Sequence, residues 1–224
     1  SMPSNHAIPL AALMTYANLL LYFDVRPLRV HAAVMEGLLT ALTPISIVWG
    51  AILLFKTMEH TGAMDTVQRW LNSITANQVA QLMIVGWSYS FLVEGISGFG
   101  TPAALAAPLL VGLGFAPRPV ALLCLMMNTV PVSFGAVGMP TWFGLGDLGL
   151  TPSELQSVGL KTALMHAAAA MIIPLLALRM VVSTGEILSN LAYIVSVISV
   201  TVVVFVGVAS FNMEFPSIAG GACG

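Results

Sequence analysis

Charge is what this chain has least of. Seven Lys and Arg and nine Asp and Glu in 224 residues put charged residues at 7%, where soluble domains carry about 25%. So few charges cannot clothe a water-facing surface, and with the two signs nearly cancelling at a formal charge of −2 nothing suggests a nucleic-acid or polyanionic partner. Cysteine is scarce too. Cys124 and Cys223 stand alone among apolar or small residues without metal-ligand spacing, which leaves no basis for a disulfide framework and reads both as inert packing thiols. The chain also lacks a nucleotide-binding glycine loop, paired metal ligands, a catalytic triad and a basic-aromatic patch. ATP-driven transport and hydrolytic chemistry therefore have no support; the chain is not read as an enzyme, and nothing in it calls for a cofactor or a metal.

Hydrophobic residues fill the space, at 58%. Uncharged runs of bilayer length recur at 1–23, 37–55, 70–93, 95–117, 119–146, 162–178 and 187–213, and a helical span needs about 20 apolar residues. The fold class is therefore all-α, a polytopic integral membrane protein. The first run has no basic start and no small-residue cleavage site before Asp24, so it reads as a retained span rather than a signal peptide. The chain opens on Ser-Met and stops in Ser217-Ile-Ala-Gly-Gly-Ala-Cys-Gly224, which reads as an interrupted sequence.

The expected order is a span at about 7–23, a charged link from Asp24 to Glu36, and a second span at about 37–55. In the next link Met64, Val67, Leu71 and Ile74 share a helical stripe, which suits either an interfacial helix or an ordinary loop helix packed on the domain. Segments 78–93 and 102–115 are short for full crossings and flank a glycine-rich stretch, predicting a re-entrant hairpin over 78–115. A broken helix follows at 119–139, then a link without Lys or Arg, then spans at about 160–178 and 187–210. The expectation is one transmembrane domain over 1–224 with about six membrane segments plus the hairpin. Lys and Arg in the short loops give conflicting orientations, because the Arg26/Arg29 link falls outside if the hairpin is re-entrant.

Chemistry has to come from few polar residues. Two stretches inside apolar segments hold most of them: Glu94-Gly-Ile-Ser-Gly-Phe-Gly-Thr-Pro102, and Asn128-Thr-Val-Pro-Val-Ser-Phe-Gly-Ala-Val-Gly-Met-Pro140. Backbone that leaves helical geometry in hydrocarbon persists only where it is buried in protein or lines a polar cavity, and broken helices point to a transporter's binding site. The expected breaks are Gly95, Pro102, Pro131 and Gly135. Glu94 is either a proton-coupling carboxyl, since burial in an apolar segment disfavours a bare carboxylate, or a brace for the broken helix. Thr101 as N-cap and Pro102 in the first turn predict a half-helix whose free N–H groups favour a carboxylate; the rival reading is that Gly95, Gly98 and Gly100 simply pack helices. Asn128 and Thr129 beside Pro131 can bond backbone, a substrate hydroxyl or water. With Gly98, Phe99, Gly100, Thr101 and Ser133 they make up the candidate substrate-binding set. His166 reads as an interhelical polar contact, while Lys161 and Arg179 read as snorkelling to the interfaces.

These residues bring a family into view. Phe91-Leu-Val-Glu-Gly-Ile-Ser-Gly-Phe-Gly-Thr-Pro102, Ala107-Pro-Leu-Leu-Val-Gly-Leu-Gly-Phe115 and Asn128-Thr-Val-Pro-Val-Ser-Phe-Gly-Ala136 resemble the bacterial L-lactate permease family, which includes glycolate permeases. The likeness extends through Glu36-Gly-Leu-Leu, Glu59-His-Thr-Gly-Ala-Met-Asp65 and Glu214-Phe-Pro216. The resemblance implies an inner-membrane secondary transporter for 2-hydroxymonocarboxylates, generally with protons as the coupling partner. It also implies a longer protein, with a missing C-terminal half supplying the other wall of the site by an inverted repeat. The alternatives are a non-transporting membrane subunit or scaffold, and a permease for another small carboxylate coupled to sodium.

Overall fold

The computed structural model describes residues 3–224, apart from the side chains of residues 4, 5, 44, 47, 48, 51, 54, 55, 59, 64, 65, 67, 68, 71, 72 and 147. Among the described residues the structure is helical, without strands. It forms two compact units, Ser1–Ile47 and Val48–Gly224. The first holds α1 (Ser4–Leu21) and the start of α2 (Pro27–His60). Within it the Tyr16 hydroxyl and His31 Nε2 lie 2.8 Å apart, with the two rings stacked. The expected span at 37–55 falls inside α2, which also absorbs most of the charged link before it, and the expected span at 7–23 lies in α1 except for Tyr22 and Phe23, which follow its end.

The second unit carries the candidate site. Its helices are α3 (Ala63–Ile74), α4 (Gln78–Ser97), α5 (Thr101–Gly112), α6 (Pro117–Met127), α7 (Val132–Leu145), α8 (Pro152–Leu178), α9 (Thr184–Ser189), α10 (Leu191–Ala209) and α11 (Pro216–Cys223). A helix does occupy the 56–77 link, but Met64, Val67 and Leu71 of its predicted stripe lie outside the described side chains. Asn77 starts α4 by accepting from the Val79 and Ala80 N–H groups, the usual way to satisfy a helix's first donors. Ser183 and Glu186 form a reciprocal capping box on α9. The Ser183 hydroxyl and amide hold the exposed Glu186 carboxyl below the ordinary carboxylate range.

Three helices are long and apolar enough to cross a membrane among the described residues: α4, α8 and α10. The bent pair α6 and α7, at 66°, makes a fourth if it counts as one span. The chain is a multi-pass membrane protein. α5 turns back along α4, so the 78–115 segment is a helical hairpin with its tip at Gly98–Gly100. Residues 82–89 of α4 are π-helical; in this stretch Ser90 Oγ donates to the Val85 carbonyl five residues back at 3.1 Å. Such bulges widen a helix locally and concentrate at functional sites.

Leu82, Met83, Trp87 and Phe91 of α4 are buried against Leu110 of α5, Leu123 and Met127 of α6, and Phe205 of α10. A run of aromatic contacts ties the layers together: a tilted Trp87–Phe91 pair at 5.1 Å, then edge-on pairs Phe91–Phe205 at 5.4 Å and Phe205–Phe134 at 5.3 Å. Each such pair contributes about 0.5–1.5 kcal/mol beyond its buried area. Cys124 is buried as expected; Cys223 is exposed, so the reading of it as a packing thiol is corrected.

α11 packs on α4 and α10 through glycines, because in lipid close backbone approach replaces the hydrophobic drive. A Cβ on Gly221 would collide with the Leu92 backbone, and one on Gly95 would sit 2.5 Å from Ile218 N and 2.9 Å from Ser217 C. Gly207 of α10 has nothing within 4 Å of such a Cβ. Gly95→Ala therefore costs about 1–3 kcal/mol by forcing α4 and α11 apart. Gly207→Ala is neutral or slightly stabilising by helix propensity. Thermal unfolding of the two purified variants checks this contrast, and equal effects would contradict the packing assignment.

Candidate functional site

The hairpin tip is built from three consecutive residues with positive φ: Gly98 at +62°, Phe99 at +53° and Gly100 at +75°. Gly98, with ψ −156°, occupies a region open essentially to glycine alone. Its amide donates to the Glu94 carbonyl at 2.8 Å and closes α4. Gly95 and Pro102 do not break helices as expected: Gly95 lies inside α4 and Pro102 is the second residue of α5. Gly100, not Thr101, is the N-cap, and Thr101 is the first helical residue.

The expected supply of free amides at this turn is also corrected. Thr101 N–H donates to Gly98 O at 3.0 Å and Ala103 N–H to Gly100 O at 3.2 Å, Gly100 N–H faces the Glu94 carboxyl, and Pro102 has no N–H. Local turn bonds consume donors that the sequence alone assigns to a ligand.

The second break is longer. α6 ends at Met127, Pro131 leads into a short 3-10 turn at Val132–Phe134, and Gly135 is extended. Ala136, Val137 and Gly138 then follow with φ of +46°, +57° and +76°. Left-handed backbone costs a non-glycine residue about 1–2 kcal/mol, and a β-branched residue there is a true outlier. The freed carbonyls find partners: Ser217 Oγ donates to Pro131 O and Thr141 Oγ1 to Ser133 O, both at 2.8 Å. Asn128 caps α6 and is buried; Thr129 is exposed and its hydroxyl donates to Met126 O at 2.7 Å, back onto its own helix. Ser133 Oγ lies 2.8 Å from His166 Nε2 of α8, so His166 does make an interhelical polar contact.

The two breaks meet. A Cβ on Gly98 would fall 2.8 Å from Ala136 Cβ and 2.9 Å from Ala136 N, and a Cβ on Gly135 would fall 2.6 Å from Glu94 Oε1. Glu94 is 1% exposed, Thr101 4% and Asn128 8%. The Asn128 side chain and the Gly100 amide face the Glu94 carboxyl, yet Glu94 Oε2, Thr101 Oγ1 and Asn128 Oδ1 have no hydrogen-bond partner among the described residues. Of the sequence-predicted set, Glu94, Gly98, Gly100, Asn128 and Gly135 come together, with Phe99, Thr101 and Ser133 on the same two breaks. Thr129 is turned outward. Ser217 and Thr141, which brace the second break, are not apparent in the sequence because they act across folded distance.

Residues 1–224 match the L-lactate permease family. The chain belongs to that family. It is 48% identical over its whole length to a Haemophilus influenzae protein provisionally described as an L-lactate permease, of which it covers 42%. It is 39% identical to the L-lactate permease of Escherichia coli K12 over 62% of the chain and 26% of that protein. It is 44% identical to a glycolate permease of the same strain over 57% of the chain and 23% of that protein. The chain thus spans less than half the length of these curated relatives. No solved structure matches it.

The meeting of the breaks is testable at the two tip glycines. Gly100→Ala meets open space and loses only the left-handed penalty, about 1–2 kcal/mol. Gly98→Ala adds a collision with Ala136 and costs 3 kcal/mol or more, on the order of the combined strain and overpacking terms. Comparing the melting temperatures of the two variants checks the ordering; a milder effect at Gly98 would show that the breaks do not touch.

Proposed function

We propose that the complete protein is a secondary active transporter of the bacterial inner membrane that carries L-lactate, glycolate or a similar short 2-hydroxymonocarboxylate together with a proton. The observation that carries this reading is the convergence of two helix breaks on the buried carboxyl of Glu94, in a chain whose relatives are named for lactate and glycolate transport. A carboxyl taken out of water and left without a cationic partner is costly in an apolar segment and marks ion or proton pathways. Protonated, Glu94 is neutral and gains a donor; that donor can serve Asn128 Oδ1 or the substrate.

The substrate is placed between the breaks, against the Gly98–Thr101 turn, Asn128 and Ser133. An apolar wall formed by Phe99, which is 41% exposed, suits a two- or three-carbon acid. The remaining part of the longer protein supplies the facing wall. Against the scaffold alternative stands the cost of Glu94 itself, because helix packing by glycine has no use for a buried carboxyl with one oxygen unpaired.

Uptake of labelled lactate and glycolate by proteoliposomes holding the full-length protein tests the reading. An imposed inward proton gradient drives accumulation, and Glu94→Gln abolishes that accumulation while exchange of internal for external substrate continues. Undiminished proton-driven accumulation in Glu94→Gln would remove Glu94 from coupling, and absence of lactate and glycolate uptake in the unaltered protein would overturn the transport assignment.

A further inference from the structure

Ser133, in the short turn of the second break, is held at both of its polar oxygens. Thr141 Oγ1 donates to its carbonyl at 2.8 Å, and its own hydroxyl lies 2.8 Å from His166 Nε2 of α8. The next residue, Phe134, is fully buried with its ring edge-on to Phe205, and Gly135 after it backs onto the Glu94 carboxyl. Elsewhere in the apolar helices hydroxyls turn back onto their own chain: Ser97 to Val93 O, Thr129 to Met126 O and Thr201 to Val197 O. That is the local alternative open to any Ser or Thr. Ser133 meets an imidazole on another helix instead, and both members of the pair are only half-buried. A polar group oriented in advance by its neighbours costs little further ordering when a ligand arrives.

We propose that His166 sets selectivity for a 2-hydroxy acid by accepting a hydrogen bond from the Ser133 hydroxyl at Nε2, which leaves Ser133 Oγ as an acceptor for the substrate's own 2-hydroxyl. The inference rests on the transport reading and on its placement of the substrate beside Ser133. A serine hydroxyl has one proton to donate and two lone pairs, and a neutral imidazole has one donor and one acceptor nitrogen. Once the serine proton is committed to Nε2, Ser133 presents lone pairs alone to the break.

Lactate and glycolate differ by a methyl group and share a 2-hydroxyl, which donates to such an acceptor. An acid without the hydroxyl leaves the acceptor unmet. A 2-oxo acid sets its carbonyl oxygen against it, acceptor to acceptor. A site built to bond a hydroxyl rejects analogues that lack one far more sharply than an apolar pocket rejects a methyl group, so one oriented serine admits both hydroxy acids and excludes their unsubstituted and oxidised counterparts. His166 is a positioning residue in this scheme: it touches Ser133, and Ser133 touches the substrate.

Exchange of labelled lactate in proteoliposomes holding the full-length protein tests the assignment, with unlabelled glycolate, propionate and pyruvate as competitors. In the unaltered protein glycolate competes well, while propionate and pyruvate compete at least tenfold less well, on the order of one hydrogen bond to a half-buried group. His166→Leu and Ser133→Ala each raise the KM for lactate about tenfold and leave the inhibition constant of propionate where it was. His166→Gln, whose amide carbonyl also accepts, keeps most of the discrimination. Ser133→Ala leaves α8 unaltered and carries the same test where His166→Leu fails to fold. Equal losses for lactate and propionate would make the pair a brace between helices and overturn the proposal. Pyruvate competing as well as lactate in the unaltered protein would reverse the direction of the Ser133 hydrogen bond, and His166→Gln discriminating no better than His166→Leu would deny the acceptor role; either result overturns it. In all three cases the unaltered protein still exchanges lactate. An unaltered protein that exchanges none fails the transport reading itself, and this inference with it.

Discussion

A backbone that abandons helical hydrogen bonding inside an apolar segment must find every partner within the protein, and that one constraint organises the second unit. The break after Asn128 persists because Ser217 reaches the Pro131 carbonyl from α11 and Thr141 folds back to the Ser133 carbonyl. The break at Gly98–Gly100 persists because its own turn absorbs the amides. α11 has to lie against α4 for Ser217 to reach, and the glycine face formed by Gly95, Gly220 and Gly221 permits that approach. The aromatic chain from Trp87 to Phe134 then holds the break-bearing segments to α10.

Part of this was legible in the sequence, and the reason is contrast. Glu94, Asn128 and Pro131 stand out in apolar surroundings because a charge, an amide and a missing donor each carry a cost there. The positions of the two breaks and of the buried Glu94 followed from that cost alone. The site's geometry did not. A glycine in an apolar run serves equally to break a helix or to let two helices touch, and only the nearness of Ile218 decides that Gly95 does the second. The left-handed run at Ala136 and Val137 has no residue-level signal, since both prefer ordinary backbone; it is imposed by the packing of Gly138 against the Met213 carbonyl and of Gly98 against Ala136.

The partners of the breaks were hidden for a different reason. Ser217 and Pro131 are 86 residues apart and Ser133 and His166 are 33 apart, so no local pattern links them. Amide availability was misjudged because a helix start was treated as an open set of donors, whereas the Gly98 and Gly100 carbonyls close onto Thr101 and Ala103.

The central claim is that the two breaks face each other around Glu94 and that the transported acid binds between them. An experimental structure of the full-length protein with glycolate bound measures this directly. The account predicts Gly98 packed against Ala136, with ligand density beside Glu94 and in contact with the Gly98–Thr101 turn. A continuous helix through residues 128–138, or a ligand seated away from Glu94 with the two breaks apart, would contradict it.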